Sequence, residues 1–151
     1  MLIHAFNWKK LSVAMAVGFR WDFRRCALFF QTRPGSYTDG TLIEFLNDLK
    51  RERRGRRTIL IWDGLPSHRS GTMRAYLRTQ RAWLTVERLP GYAPDLNPVE
   101  LVWGNVKGRE LANRCPDHLG ELERELRAGL RRVRRSPTLA FAFLRYTGLS
   151  F

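Results

Sequence analysis

Thr58-Ile-Leu-Ile-Trp-Asp63 and Leu89-Pro-Gly-Tyr-Ala-Pro-Asp-Leu-Asn-Pro-Val-Glu100 decide how this chain is read. The first stretch is apolar or β-branched up to Trp62 and predicts a buried strand that ends on a carboxylate. The second is rich in turn formers (Pro90, Gly91, Pro94) and predicts a loop. That loop runs into a helix started by Pro98, with Glu100 in its first turn. Between Asp63 and Glu100 lie 36 residues. A carboxylate at the C-terminal end of a strand lies at the rim where α/β sheets bind ligands. Two acids placed this way suit a metal-dependent nuclease or strand-transfer enzyme, which ordinarily needs a third.

Outward from these motifs, the chain alternates strands and helices. Leu11 to Phe19 is apolar with small residues and predicts a largely buried strand; Trp21 to Arg24 is a turn and Cys26 to Gln31 a second strand, together a hairpin. After Pro34-Gly35-Ser36, Leu42, Leu46 and Leu49 recur at helical spacing. Five arginines between Arg51 and Arg57 close that helix. Ser70 to Gln80 is helical, with Met73, Tyr76 and Leu77 as its stripe, and Trp83 to Arg88 is a short strand. The helix from Pro98 breaks at Cys115-Pro116-Asp117. Leu119, Leu122, Leu126, Leu130 and Val133 mark one face of a long helix, and Pro137 opens a last one. The pattern is α/β, with helices packed on a sheet, in a single domain.

The composition names a partner. The 151 residues carry 27 Lys and Arg against 14 Asp and Glu, a formal charge of +13. Such an excess favours a polyanion, most simply nucleic acid. Cys26 and Cys115 form no Cys-x-x-Cys pair, so neither a zinc site nor a disulfide framework is indicated, in keeping with a reducing cytoplasm. No apolar run has the length of a membrane span, and the first ten residues lack the order of a signal peptide.

Each candidate residue has two readings. Asp63-Gly64 is a turn dipeptide as well as a strand-end acid. Asn97 and Glu100 have capping-box spacing, Asn97 as N-cap and Glu100 at N3. Glu100, Trp103 and Lys107 share a helix face, so an acid able to hold a metal and a lysine able to meet a phosphate stand together. Asp95 is a further acid in good turn chemistry. His68 is close in sequence to Asp63 and adjoins Arg69, within reach of substrate or a metal shell. The arginines at 51–57 and 124–135 are either solvated helix faces or phosphate contacts; of these, Arg124, Arg127, Arg131 and Arg134, with Arg69, are the candidate DNA-binding residues.

Trp62-Asp63-Gly64-Leu65-Pro66-Ser67-His68, followed by Gly91-Tyr92-Ala93-Pro94-Asp95-Leu96-Asn97-Pro98-Val99-Glu100-Leu101-Val102-Trp103 and Lys107, closely resembles the catalytic core of mariner-like bacterial insertion-sequence transposases of the DDE superfamily. The resemblance extends to Phe6-Asn7-Trp8-Lys9 and Phe29-Phe30-Gln31. It implies a ribonuclease-H-like fold, a mixed sheet flanked by helices, and a DDE/D triad of which Asp63 is the second acid and Glu100 the third. It also implies two Mg²⁺ or Mn²⁺ ions, about 3.5–4 Å apart in such sites, with DNA ends and target DNA as partners in the nucleoid. One ion activates water or a DNA 3′-hydroxyl, and the other stabilises the leaving oxygen.

The family's first aspartate belongs to a strand ahead of the Phe6-Asn7-Trp8-Lys9 region and is not found in this chain. Asp22, in a hairpin turn, and Asp39, at a helix start, do not replace it. That strand lies centrally in the family's sheet, so its absence leaves two strand edges facing no partner. The chain is then expected to be a partial catalytic domain over residues 1–151, completed by an upstream segment or a second copy. A catalytically inactive DNA-binding fragment or regulator derived from a transposase is the alternative, and an unrelated basic nuclease with a two-carboxylate site is a third.

Overall fold

A computed structural model describes residues 10–22, 24–91, 93–113, 116 and 118–148. The match at Phe6-Asn7-Trp8-Lys9 lies outside them, as do Cys115 and Asp117 of the expected helix break.

Strands β1 (Leu11–Phe19) and β2 (Cys26–Pro34) form an antiparallel hairpin, paired from Phe19↔Cys26 to Leu11↔Pro34. Asp22 is consumed by its turn, 3.2 Å from the Arg20 guanidinium and accepting from Arg24 N–H. Strand β1 is apolar on both faces because both are covered. Leu11, Val13, Met15 and Val17 pack against one core cluster, and Ala14 and Ala16 against another.

Helix α1 (Asp39–Glu52) starts at a Thr38/Thr41 capping box, which satisfies two orphan backbone donors. It buries Leu42, Phe45, Leu46 and Leu49. Gly55, at φ 66°, turns the chain out of the helix, a conformation open to glycine at little cost. Strand β3 (Thr58–Trp62) follows, then the one-turn helix α2 (Pro66–Arg69) and helix α3 (Gly71–Thr79), capped by Ser70. Strand β4 (Leu84–Arg88) returns parallel to β3, from Thr58↔Leu84 to Trp62↔Arg88. Helices α4 (Pro98–Arg109), α5 (Leu119–Arg134) and α6 (Pro137–Tyr146) complete the chain.

The expected mixed sheet is present as two pairs, one antiparallel and one parallel. No hydrogen-bonded strand joins them among the described residues. Both pairs lie on the apolar face of α1, whose cluster takes in Ala14, Ala16 and Phe29 from the hairpin and Leu60, Trp62 and Val86 from the parallel pair. The expectation that β3 is buried throughout needs correction. Leu60 and Trp62 face the core, whereas Ile59 is 68% exposed and Ile61 48%. An apolar run has no alternation to reveal that only one face is covered.

The second cluster is built from Leu28 of β2 with Val102 and Val106 of α4 and Leu126, Leu130 and Val133 of α5. Gly129 lets these two helices meet: a Cβ there would lie 2.8 Å from Val106 Cγ1 and 2.8 Å from Glu110 Oε2. Glu110 cannot swing aside freely. Arg132 donates to its Oε1 at 2.5 Å and its Oε2 at 3.0 Å, and to Asn105 Oδ1 at 2.7 Å. Gly129→Ala is therefore expected to lower stability by about 1–3 kcal/mol, the usual cost of overpacking, read as a lower urea midpoint.

The same pair carries a pH dependence. The Arg132 guanidinium holds the Glu110 carboxyl below the usual carboxylate range. A depressed folded pKa gives stability that is complete above the unfolded pKa, about 4.3 for Glu. It is lost as pH falls through the lower folded value. Glu110→Gln should flatten the fall of the urea midpoint on acidification below about pH 4.3. An unchanged acid limb would refute this assignment.

Candidate functional site

Asp63 stands one residue beyond β3, at the strand's C-terminal end. Its Oδ1 accepts from Leu65 N–H at 3.2 Å. His68 reaches back from α2 and brings Nδ1 to 2.8 Å from the same oxygen. Nδ1 also hydrogen-bonds the Asp63 carbonyl oxygen at 3.0 Å. The His68 ring stacks on Trp62 with centroids 4.1 Å apart and planes 4° apart. Pro66 starts the turn that makes this possible, since proline is pre-set for a first helical position. Sequence reasoning placed His68 near Asp63 but missed both the Trp62 stack and α2. The available signal was the aromatic directly before the acid and the proline two residues before the histidine.

Glu100 lies in the first turn of α4, exposed. The capping box does not form, and Asn97 acts as a simple N-cap. Asn97 Oδ1 accepts from Val99 N–H at 3.1 Å. The Asn97 N–H, which Glu100 would have to bind, is already donated to the Pro94 carbonyl at 2.9 Å. The 3₁₀ turn Pro94–Leu96 thus takes the donor and leaves the Glu100 carboxylate without a hydrogen bond or ion pair among the described residues. Asp95 lies exposed in that turn, and its carboxylate caps nothing. Lys107 Nζ sits 5.6 Å from the Trp103 ring centroid, so the shared helix face read from the sequence is present.

Among the described residues, no three His, Cys, Asp or Glu side chains group with metal-holding geometry. Asp63 and Glu100 are not linked to one another by any hydrogen bond. Asp39, the other acid weighed from sequence, occupies the first turn of α1. An open cleft of about 240 Å³ over β2 is lined by Thr32, Arg33, Tyr37 and Arg127 among others, but by neither candidate acid.

The arginines divide. Arg69, Arg124, Arg131 and Arg134 are exposed. Arg134 lies over the Phe30 ring at 6.0 Å. Arg127, grouped with them from the sequence, is committed within the fold: it binds Glu123 at 2.8 Å and Thr32 Oγ1 at 2.6 Å, tying α5 to β2. Thr32 and Arg127 together hold the Glu123 carboxyl below the usual range. No helix of the described residues is long and apolar enough to cross a membrane.

The sequence model of the DDE superfamily endonuclease family matches residues 8–123. Among solved structures, the catalytic domain of Mos1 mariner transposase matches with a TM-score of 0.52 at 17% identity, over 93% of this chain and 83% of that one. The Mos1 transposase paired-end complex with the left transposon end matches at 0.55 and 22% identity, over 83% of this chain and 44% of that one. These likenesses identify the fold as the ribonuclease-H-like one of transposase catalytic domains. No curated protein matches significantly.

Asn97→Ala should lower stability by about 1 kcal/mol, the typical worth of an N-cap. Glu100→Gln should stay within about 0.5 kcal/mol of the parent, as a surface change without partners does. Urea unfolding of both variants checks this, and a large loss in Glu100→Gln would show that the carboxylate is structural after all.

Proposed function

The chain belongs to the DDE superfamily endonuclease family, and from that membership we propose that it takes part in DNA cleavage and strand transfer in transposition, contributing the second and third acids of a DDE/D site. The observation that carries this reading is the state of the two carboxylates. Asp63 offers Oδ2, and Glu100 both oxygens, free of protein partners among the described residues. One ends a strand and the other begins a helix, inside the family match.

Carboxylate oxygens are hard donors and fit Mg²⁺ or Mn²⁺. Asp63 and Glu100 are the residues that would hold such ions, which supply Lewis-acid activation and charge stabilisation for in-line attack on a phosphodiester. The protein's share is positioning. Asn97 fixes the first turn of α4 and with it Glu100. Lys107, held beside Trp103, offers a cation to a phosphate on the same face. Exposed Arg69, Arg124, Arg131 and Arg134 give sequence-blind phosphate contacts that hold the DNA. The first acid would come from a strand seated between β1 and β3, brought by polypeptide outside the described residues. With DNA as partner, the place of action is the nucleoid.

The exposed arginines also favour a second reading, a DNA-binding regulator without chemistry, because they stand independently of the acids. The two readings separate in one experiment. With Mg²⁺ or Mn²⁺, and with a segment carrying the first acid joined upstream or added in trans, the protein should nick duplex DNA, and Asp63→Asn or Glu100→Gln should abolish nicking while leaving DNA binding intact. Affinity should fall steeply with salt, and each phosphate contact removed, as in Arg124→Ala or Arg131→Ala, should reduce the log–log slope by about 0.9. Binding without nicking would replace the catalytic reading with the regulator, and absence of binding would end both.

A further inference from the structure

The surroundings of His68 point to a role that the pairing of acids does not assign. Nδ1 approaches two oxygens of Asp63, the carboxylate Oδ1 at 2.8 Å and the carbonyl at 3.0 Å. Both are acceptors only, so these approaches are attractive only if Nδ1 carries the ring hydrogen. That choice fixes the tautomer. In the neutral ring Nε2 then keeps its lone pair, and it makes no hydrogen bond among the described residues.

The ring cannot easily leave. It is stacked on Trp62, itself 8% exposed and part of the α1 core cluster, and its own side chain is only 13% exposed. The Trp62 indole N–H is buried without an acceptor, so Trp62 is held by packing, and its orientation is set by the stack and the core together. Asp63 is thus held from two sides: His68 Nδ1–H bonds its carbonyl and lies 2.8 Å from Oδ1, and Oδ1 accepts from Leu65 N–H. Oδ2 receives no donor. A carboxylate with one oxygen engaged and the other open has its rotamer chosen before any ligand arrives.

We propose that His68 is the positioning residue of Asp63. Its Nδ1–H is bonded to the Asp63 carbonyl with Oδ1 close beside it, and its ring is clamped on Trp62, so that Oδ2 is left oriented for a divalent cation. The inference rests on the two-carboxylate reading given above and deepens it. Outer groups that orient a ligand in this way ordinarily matter about 10–100-fold in metal affinity. The competing role is direct ligation through Nε2, and side-chain shape separates the two. Asparagine places an N–H where histidine has Nδ1, whereas glutamine reaches the place of Nε2. Phenylalanine keeps the stack and removes both nitrogens.

The test begins without metal. Long-range ¹H–¹⁵N NMR of the parent protein should show the His68 ring hydrogen on Nδ1; a hydrogen on Nε2 alone overturns the proposal. Mn²⁺ binding followed by electron paramagnetic resonance then reads the effect. His68→Phe should keep the parent's urea midpoint yet bind Mn²⁺ at least about 10-fold more weakly. His68→Asn should restore most of that loss and His68→Gln should not. The reverse order, with glutamine retaining affinity and asparagine losing it, would make His68 a ligand and overturn the positioning role. Undiminished binding in His68→Phe would do the same. A parent protein that binds no Mn²⁺ beyond the level of Asp63→Ala would overturn the two-carboxylate reading and this proposal together.

Discussion

The apolar face of helix α1 is the constraint on which the rest of this fold depends. Among the described residues the two strand pairs share no ladder, so their relation is set by what they both touch. Phe45, Leu46 and Leu49 provide that surface. Phe29 of the hairpin meets Phe45 with ring centroids 5.1 Å apart, while Trp62 and Met73 fill the same cluster from the parallel pair's side. Each such side chain, fully buried, stabilises by about 1.5–3 kcal/mol. The polar margin of the helix repeats the arrangement. Asp48 binds Gln31 on one side. On the other, Tyr76 donates to Asn47 at 2.8 Å and Lys50 to Gln80 at 3.1 Å. One helix therefore fixes where the end of β3, and with it Asp63, lies relative to the hairpin.

That arrangement has a cost at the strand edges. A ribonuclease-H-like sheet is continuous, whereas here β1 and β3 each pair on one side only among the described residues. Unpaired edges are templates for another strand, and Ile59 and Ile61 add exposed apolar surface on β3. The same gap is where a strand from outside the described residues would pair.

Much of this was legible in the sequence because strong local signals agreed with tertiary packing. The bounds of β1 and β3 and the starts of α4 and α6 follow directly from apolar runs and from Pro98 and Pro137. The α5 stripe is also as read, with Leu126, Leu130 and Val133 buried. What was not legible depends on partners remote in sequence. Arg127 looked like its exposed neighbours, yet Thr32, 95 residues away, accepts from it. Arg132 sits in the same basic run, and only the close approach at Gly129 brings Glu110 to it. Strand β2 continues to Pro34 beyond the expected Gln31 because its pairing with β1 holds the polar residues Thr32 and Arg33 in the ladder. The capping box failed for a local reason of a subtler kind. Its spacing was right, but a carbonyl three residues upstream had already satisfied the donor.

That last detail bears most on what the site can do. Had Glu100 closed the box, its carboxylate would have been hydrogen-bonded to a backbone N–H and turned back on its own helix. With Pro94 satisfying Asn97, the helix start is capped and the acid is not needed for it. The positive end of the α4 dipole favours acidic residues in this first turn, and Glu100 stands there exposed. Asp63 reaches a similar state by another route, because Leu65 and His68 converge on one oxygen and leave the second open. In a chain of net charge +13, many carboxylates find an arginine, as Asp22, Asp48, Glu110 and Glu123 do. The two motif acids are kept from that fate by backbone geometry and by an imidazole. Carboxylate oxygens left open in this way, among so many arginines, are the ones that would receive a cation that is not part of the protein.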